Sequence, residues 1–197
     1  VRSYLAWLKD TGRVNGLLKT ICYSGSEHKE IYKMIRPLVE SDFNAAIQIV
    51  NRNWKNVYVG YVNQGLLNDA GCQERSQQLR EDFINHRLSE YVWEESGQIL
   101  GLLSMGTTAD TDKASAFEIW RIYIAAEAQG KGIGGRLLVF AEQTAKKNGY
   151  SEIIIWAFSE NARAIRFYQK YGYQIDKKAY LNAPYLTYGT RLSKNIS

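Results

Sequence analysis

The stretch Gln129-Gly130-Lys131-Gly132-Ile133-Gly134-Gly135-Arg136 decides how the rest of the chain is interpreted. It follows the apolar run Phe117–Ile124, which is typical of a strand, and it precedes the helix-like run Leu137–Lys147. A glycine-rich turn between a strand and a helix leaves backbone N–H groups pointing outward, and the positive end of the helix dipole adds to their field. The sequence therefore predicts an anion site at this turn, with a phosphorylated ligand to fill it.

Two common phosphate-binding patterns do not fit this turn. Its glycines match the spacing of the dinucleotide fingerprint, but that fold needs an acidic residue at the end of the next strand, whereas Glu152 stands at its start. A P-loop needs a Lys–Ser/Thr pair, and here Gly135 is followed by Arg136. The ligand is therefore expected to belong to another class.

The pattern Gln129-x-x-Gly132-x-Gly134 resembles the signature of the GNAT N-acetyltransferase family, Gln/Arg-x-x-Gly-x-Gly/Ala between a central strand and a helix. The family's second motif resembles Asn161-Ala162-Arg163-Ala164-Ile165-Arg166-Phe167-Tyr168-Gln169-Lys170-Tyr171-Gly172-Tyr173. Its hairpin resembles Glu94-Glu95-Ser96-Gly97-Gln98-Ile99-Leu100-Gly101. The motifs stand in the family's order, and the resemblance spans about residues 34–192.

The order of predicted elements indicates an α/β (α+β) fold in which helices flank a mixed sheet. The resemblance implies a GNAT-like, mostly antiparallel central sheet with splayed central strands. The predicted strands are 34–38, 91–95, 98–105, 117–124, 152–158, 173–178 and 185–192. The predicted helices begin after Ser41-Asp42 and cover 74–88, 137–147 and 162–170, and 54–67 is expected to be irregular.

Two segments are predicted, an N-terminal extension at 1–33 and a GNAT acetyltransferase domain at 34–197. The extension carries +3 of the net charge of +5, so the main body is close to neutral. This balance argues against nucleic acid as a partner, although a basic arm that binds nucleic acid stays a third hypothesis. The extension could also be an added arm that docks on the domain or serves contacts between subunits, as in a homodimer.

The composition is that of a soluble globular protein, with 45% hydrophobic and 23% charged residues among 197. No apolar run approaches the ~20 residues of a membrane helix, and no signal-peptide pattern is present, so a cytoplasmic location without membrane contact is expected. Cys22 and Cys72 are expected to be reduced thiols. His28 and His86 are isolated in the sequence, and no metal site is expected.

By the resemblance, the ligand of the turn is acetyl-coenzyme A, which acts as cosubstrate. The turn amides would wrap its pyrophosphate, Lys131 and Arg136 would support the phosphates or stay solvated, and Asn161 would contact the coenzyme, cap a helix or do both. The main chain of the strand before the turn would pair with the pantetheine arm. The expected binding residues are Ile122, Tyr123, Ile124, Gln129, Gly130, Lys131, Gly132, Ile133, Gly134, Gly135, Arg136, Asn161 and Tyr168.

The expected catalytic residues are Tyr168 and Glu118. Tyr168 falls at the family's general-acid position, seven residues after Asn161, where a phenol can protonate the departing thiolate. Some members place a basic Glu five residues before that Asn, and here the position holds Trp156. Glu118 is the expected substitute. It alternates with Trp120 and the other apolar residues at every second position of the strand, so its side chain would share their face and be desolvated. A solvent-exposed Glu118, with water as the base, remains the alternative.

The expected function is direct transfer of acetyl from acetyl-coenzyme A to a primary amine, on a small molecule or a peptide N-terminus, in a ternary complex. The alternative is a sensor that binds coenzyme A without turnover. The acceptor would be surrounded by residues 53–65, which include Trp54, Tyr58 and Tyr61, and by residues 180–188. These aromatic side chains fit a small amine or a peptide terminus, and they also fit an ordinary core.

Overall fold

The structure is a computed structural model, and it describes residues 34–197. The predicted extension at 1–33, with Cys22 and His28, lies outside the described residues. The strands are β1 (Ile35–Pro37), β2 (Ser89–Glu95), β3 (Gln98–Thr107), β4 (Phe117–Ile124), β5 (Glu152–Phe158), β6 (Gln174–Leu181) and β7 (Thr187–Asn195). The helices are α1 (Phe43–Val57), α2 (Asp69–Ile84), α3 (Ile133–Lys147) and α4 (Ala162–Lys170). Within 34–197, no helix has both the length and the apolar character to cross a membrane.

The seven strands form one sheet in the order β1-β2-β3-β4-β5-β7-β6. Every neighbouring pair is antiparallel except β4 and β5, which are parallel because α3 connects them. These two strands pair only where Phe117–Ile119 lies beside Ile153–Ile155, and beyond that point they diverge. The predicted mixed sheet with splayed central strands is confirmed.

Helices cover both faces of the sheet. Leu102 on β3 belongs to the core cluster of α1, together with Phe43 and Ala46. The next position, Gly101, approaches Leu137 of α3, since a Cβ there would lie 3.2 Å from the leucine side chain. Because consecutive strand residues point to opposite faces, α1 and α3 lie on opposite sides of β3. The divergence of β4 and β5 is therefore bordered by a different helix on each face.

A β-bulge in β4 corrects one sequence-based inference. Ile119 pairs with Met105 and Arg121 pairs with Ser104, so Trp120 is an extra residue without a partner in β3. The bulge shifts the alternation by one, and Glu118 shares its face with Arg121 and Tyr123 rather than with Ile122 and Ile124. The predicted parity was wrong because an extra residue in a strand leaves no periodic mark in the sequence.

Several element boundaries also differ from the predictions. Helix α1 runs on to Val57, so the segment expected to be irregular starts later, and α3 begins four residues earlier than expected. Helix α2 begins at Asp69 because the Asn68 side chain accepts from the Gly71 amide, and it ends at Ile84. Ile84 is 59% exposed, so it does not belong to the buried stripe that the sequence predicted. The Ser96-Gly97 hairpin is confirmed, with positive φ at both residues as a tight hairpin turn requires.

Candidate active site

The glycine turn has the backbone of an anion site. Gly130 and Gly132 have φ of 79° and 83°, a conformation that glycine adopts without strain. A Cβ added at either residue would meet nothing within 4 Å, so open space and not a neighbouring group lies beside them. Gly132 is the N-cap of α3, and the first-turn amides of Ile133, Gly134 and Gly135 are those that a helix leaves without an intrahelical acceptor. These amides and the helix dipole favour a negatively charged group at this position.

The next two glycines serve helix packing. A Cβ at Gly135 would lie 1.9 Å from the Tyr171 hydroxyl, and one at Gly134 would lie 3.4 Å from the Phe167 ring. These glycines therefore let α4 approach the start of α3 closely. Gly135 is buried in this contact.

The two cations of the turn differ in their surroundings. Lys131 is exposed beside the positive-φ glycines. Arg136 is also exposed, and its guanidinium lies 5.6 Å from the ring centroid of Trp93 on β2, within cation–π range.

Beyond the bulge, the edge of β4 presents backbone groups toward the space where β5 has diverged. The Ala125 amide donates to the Leu100 carbonyl, so every second residue back along β4, including Tyr123, also directs its backbone to β3. Ile122 and Ile124 direct theirs to the opposite side. The Ile124 carbonyl accepts from Asn53 Nδ2 at 3.0 Å and from Gln129 Nε2 at 3.4 Å. Of the three residues expected to pair with the pantetheine arm, Tyr123 thus directs its backbone to β3 and away from the open edge.

Three phenols come together beside the divergence of the strands. Tyr168 on α4 is 6% exposed, and its phenol interacts electrostatically with those of Tyr123 and Tyr58. Burial raises the pKa of Tyr168 well above its ordinary value, so the hydroxyl keeps its proton at neutral pH. The Tyr123 hydroxyl accepts from Trp54 Nε1 at 2.9 Å. Aromatic rings surround this polar cluster. The ring centroid of Tyr58 lies 5.0 Å from those of both Trp54 and Phe158.

Asn161 caps α4. Its Oδ1 accepts from the Ala164 amide at 3.1 Å, which satisfies one of the free amides at the start of the helix. The predicted cap is therefore present, and the expected coenzyme contact stays a prediction.

Glu118 is buried at the paired end of β4, with 6% of its surface exposed. Burial raises its pKa to about 7, helped by the nearby Asp110 charge and opposed by Thr108, the Ala109 amide and Arg87. A carboxyl that titrates near neutrality can accept a proton at physiological pH and release it again. Trp156, at the position of the base that this chain lacks, donates from its indole to Asp110 at 2.9 Å.

A cavity of about 180 Å³ opens between α1, α2 and β4, on the face that carries Tyr123. Its walls combine the aromatic side chains of Trp54, Trp120, Tyr123 and Tyr185 with arginines. Trp54, expected near the acceptor, does line it. Arg75 and Arg121 also line it, although no motif in the sequence points to either residue. A usable signal existed for Arg75, because it stands four residues before buried Leu79 and seven before buried Asp82, on the same face of α2.

Two of the arginines that line the cavity, Arg87 and Arg121, are paired with buried acids. Asp82 accepts from Arg87 Nε at 2.5 Å and lies 2.6 Å from Arg121 Nη2. Burial would raise the pKa of Asp82, but the two guanidiniums outweigh it and lower the pKa. Arg121 Nη1 also lies 3.5 Å from Glu90, whose pKa burial raises to about 7 and which accepts from Ser104 Oγ. Charge on this side of the cavity is largely balanced.

Comparison with known proteins places this geometry in a family. A family model described as the acetyltransferase (GNAT) family matches residues 54–173, from α1 to the end of the second motif. The chain is similar to spermidine N(1)-acetyltransferase of Thermoplasma acidophilum, with 27% identity over 152 residues that cover 72% of this chain and 88% of that protein.

Solved structures share the fold. The PaiA N-acetyltransferase of Thermoplasma acidophilum in complex with coenzyme A has a TM-score of 0.67 at 20% identity, over 82% of this chain and 97% of that one. A putative acetyltransferase from Salmonella typhimurium with acetyl-CoA has a TM-score of 0.63 at 20% identity, over 83% and 93% of the two chains. Since the family model spans more than half of the sequence, the chain belongs to the acetyltransferase (GNAT) family.

Proposed function

We propose that this N-acetyltransferase moves the acetyl group of acetyl-coenzyme A directly to a primary amine, within one ternary complex. The observation that carries the proposal is the combination of an anion-binding turn at the start of α3 with the diverging strands β4 and β5 directly before it. The turn suits a pyrophosphate, and the open edge of β4 suits an extended amide-bearing arm.

The described residues fit this cosubstrate. Amides from Gly130 to Gly135 would bind the pyrophosphate oxygens, with Lys131 and Arg136 as nearby cations. Ile122 offers both backbone groups to the pantetheine arm and Ile124 offers its amide, because its carbonyl is held by Asn53 and Gln129. The relatives crystallised with coenzyme A or acetyl-CoA share this fold.

The chemistry needs a neutral amine and a proton for the leaving sulfur. Glu118, with a pKa of about 7, takes the proton from the attacking amine. A water molecule relays this proton, because the cavity that holds the amine is lined by later residues of β4 and not by Glu118 itself. The amine nitrogen bonds to the thioester carbon, and the carbon–sulfur bond then breaks. Tyr168 donates its proton to the departing thiolate. No covalent bond to the enzyme is formed in this sequence.

The acceptor enters from the face of α1 and α2, where the cavity lies beside Tyr123. A volume of about 180 Å³ is below the roughly 300–1,000 Å³ of sites for drug-sized ligands, so a small amine or a single terminal residue fits. A relative is named for spermidine, which is itself a small amine. The alternative of a non-catalytic sensor leaves the buried Tyr168 and Glu118 without a role.

Replacement of Gly132 with Ala is expected to weaken acetyl-coenzyme A binding roughly tenfold, as measured by calorimetry. An alanine in the left-handed conformation of Gly132 is strained, and its methyl group would occupy the open space beside the phosphate-binding amides. Gly149→Ala is the matched control, because Gly149 has φ of 86° and the same empty surroundings. It lies just beyond the other end of α3, whose 15 residues span about 22 Å.

Both variants carry similar backbone strain, but Gly149 lies far from the turn. We therefore expect Gly149→Ala to bind acetyl-coenzyme A within about twofold of the unmodified protein. Equal weakening in both variants would mean that binding reflects stability and not the turn, and it would remove the pyrophosphate from this position.

A further inference from the structure

Within residues 34–197, Arg75 is the cation of the cavity that forms no ion pair, and the exposed neighbour Glu74 acts on it through its charge alone. Its Nε donates to Asn51 Oδ1 at 3.1 Å, one terminal nitrogen donates to the Leu66 carbonyl, and the other donates to Cys72 Sγ at 3.4 Å. None of these acceptors is a carboxylate, and among residues 34–197 no ion pair joins Arg75 to an acid. Arg87 and Arg121, by contrast, share Asp82.

The guanidinium of Arg75 is held in place by contacts that leave some of its N–H groups without an acceptor among residues 34–197. It lies 4.4 Å from the ring centroid of Trp54 and is fixed by its three hydrogen bonds. Because a guanidinium has five N–H groups, one on each terminal nitrogen has no acceptor within the described part of the chain. Two such N–H groups on neighbouring nitrogens match the two oxygens of a carboxylate.

The rest of the cavity does not supply that carboxylate. Within 34–197, the residues that line it include three arginines and no Asp or Glu. The two acids that balance Arg87 and Arg121 are buried behind them, and Glu90 has a pKa of about 7. The cavity wall therefore favours a ligand with a negative group and disfavours a polycation.

We infer that the acceptor is a small amino acid, whose carboxylate binds Arg75 and whose amine receives the acetyl group. This inference rests on the proposed function and adds the class of acceptor. Arg75 and Tyr123 line the same cavity, and Tyr123 also interacts electrostatically with Tyr168, so the carboxylate would bind in the cavity that Tyr123 shares with Arg75. The aromatic walls formed by Trp54 and Trp120 suit an apolar or aromatic side chain.

The test compares amino acids with their decarboxylated twins: alanine with ethylamine, leucine with isoamylamine, and phenylalanine with phenethylamine. Thiol release from acetyl-coenzyme A gives kcat/KM for each compound, and spermidine is included as the polycation. We expect the best amino acid to exceed its twin by at least tenfold, since charge-assisted hydrogen bonds are among the strong ones. We expect Arg75→Gln to reduce that ratio to within about threefold of unity.

Arg80→Gln is the matched control. Arg80 also lies on α2 and stacks on a ring of α1, with its guanidinium 4.6 Å from the Phe43 centroid, but it pairs with Glu40 and does not line the cavity. Its removal changes the net charge equally and should leave the ratio of amino acid to twin unchanged. A ratio that falls equally in both variants would overturn the role of Arg75, as would a ratio near one in the unmodified protein.

Binding of the same pairs by calorimetry, with coenzyme A present, separates this inference from the proposed function. Tighter binding of the amino acid that is lost in Arg75→Gln would support carboxylate recognition, even if no compound is acetylated. The absence of acetylation would then count only against acetyl transfer. Spermidine as the preferred acceptor, or amino acids that bind no better than their twins, would overturn the inference while leaving acetyl transfer intact.

Discussion

Replacing Tyr168 with Phe is expected to lower kcat by about 100-fold, the size typical of a lost general acid. Tyr168 is the buried phenol of α4 that meets Tyr123 beside the diverging strands, and its raised pKa keeps it protonated until a thiolate forms. The substitution removes one oxygen and keeps the ring. Acetyl-coenzyme A affinity should therefore change little. Steady-state thiol release and calorimetry measure the two quantities in the same preparation.

Tyr173→Phe is the control for this variant. Tyr173 is also buried, and its ring centroid lies 6.1 Å from that of Tyr168. The Lys194 ammonium lies 5.7 Å from the Tyr173 ring centroid, and Tyr173 does not line the cavity. Loss of its hydroxyl should leave kcat within about twofold. If Tyr168→Phe turned over at the unmodified rate, the acid would have to be water or another group.

Replacing Glu118 with Gln is expected to lower kcat/KM by about 100-fold at pH 7.5 and to flatten the acidic limb of the pH–rate profile. A general base works only when deprotonated, so the activity of the unmodified protein should rise with pH through about 7, the pKa to which burial raises Glu118. Asp110 and Arg87 are charged groups that act on Glu118, the first raising its pKa and the second lowering it. Glutamine does not titrate, so that rise should disappear.

Glu90→Gln distinguishes Glu118 from the other buried carboxyl that titrates near neutrality. Burial also raises the pKa of Glu90 to about 7, and it lies behind Arg121 with Ser104 as its hydrogen-bond donor. A glutamine there can still accept from Ser104, so the acidic limb should persist. An acidic limb retained in Glu118→Gln and lost in Glu90→Gln would assign the base to Glu90 instead.

Local patterns in the sequence were sufficient for the main architecture. The glycine turn, the Ser96-Gly97 hairpin, the strand Phe117–Ile124 and the Asn161 cap each depend on neighbouring residues, so their signals are contained in a short stretch of sequence. Their order then fixed the mixed sheet, and the structure places all four where the sequence predicted them.

What the sequence did not reveal depends on contacts between distant segments. The extra residue Trp120 is defined by the register of β4 against β3, and it reversed the face assigned to Glu118. The glycine pattern predicts a phosphate contact for Gly135, but its lack of a side chain also accommodates Tyr171 from another helix. Arg75 acquires its importance only when α2 folds over Trp54 and Asn51. The register of β4 and the contact of Gly135 with Tyr171 have no local spacing to mark them, whereas the spacing of Arg75 with Leu79 and Asp82 indicates its face of α2 but not what that face contacts.

The most direct test of acetyl transfer is thiol release from acetyl-coenzyme A, followed from the first turnover with and without an amine. Direct transfer predicts no burst of thiol when the protein and acetyl-coenzyme A are mixed alone. It then predicts sustained release, matched by acetylated product, once the acceptor is added. A stoichiometric burst without acceptor would show a covalent acetyl-enzyme, and no release with any amine of the panel would contradict catalysis itself.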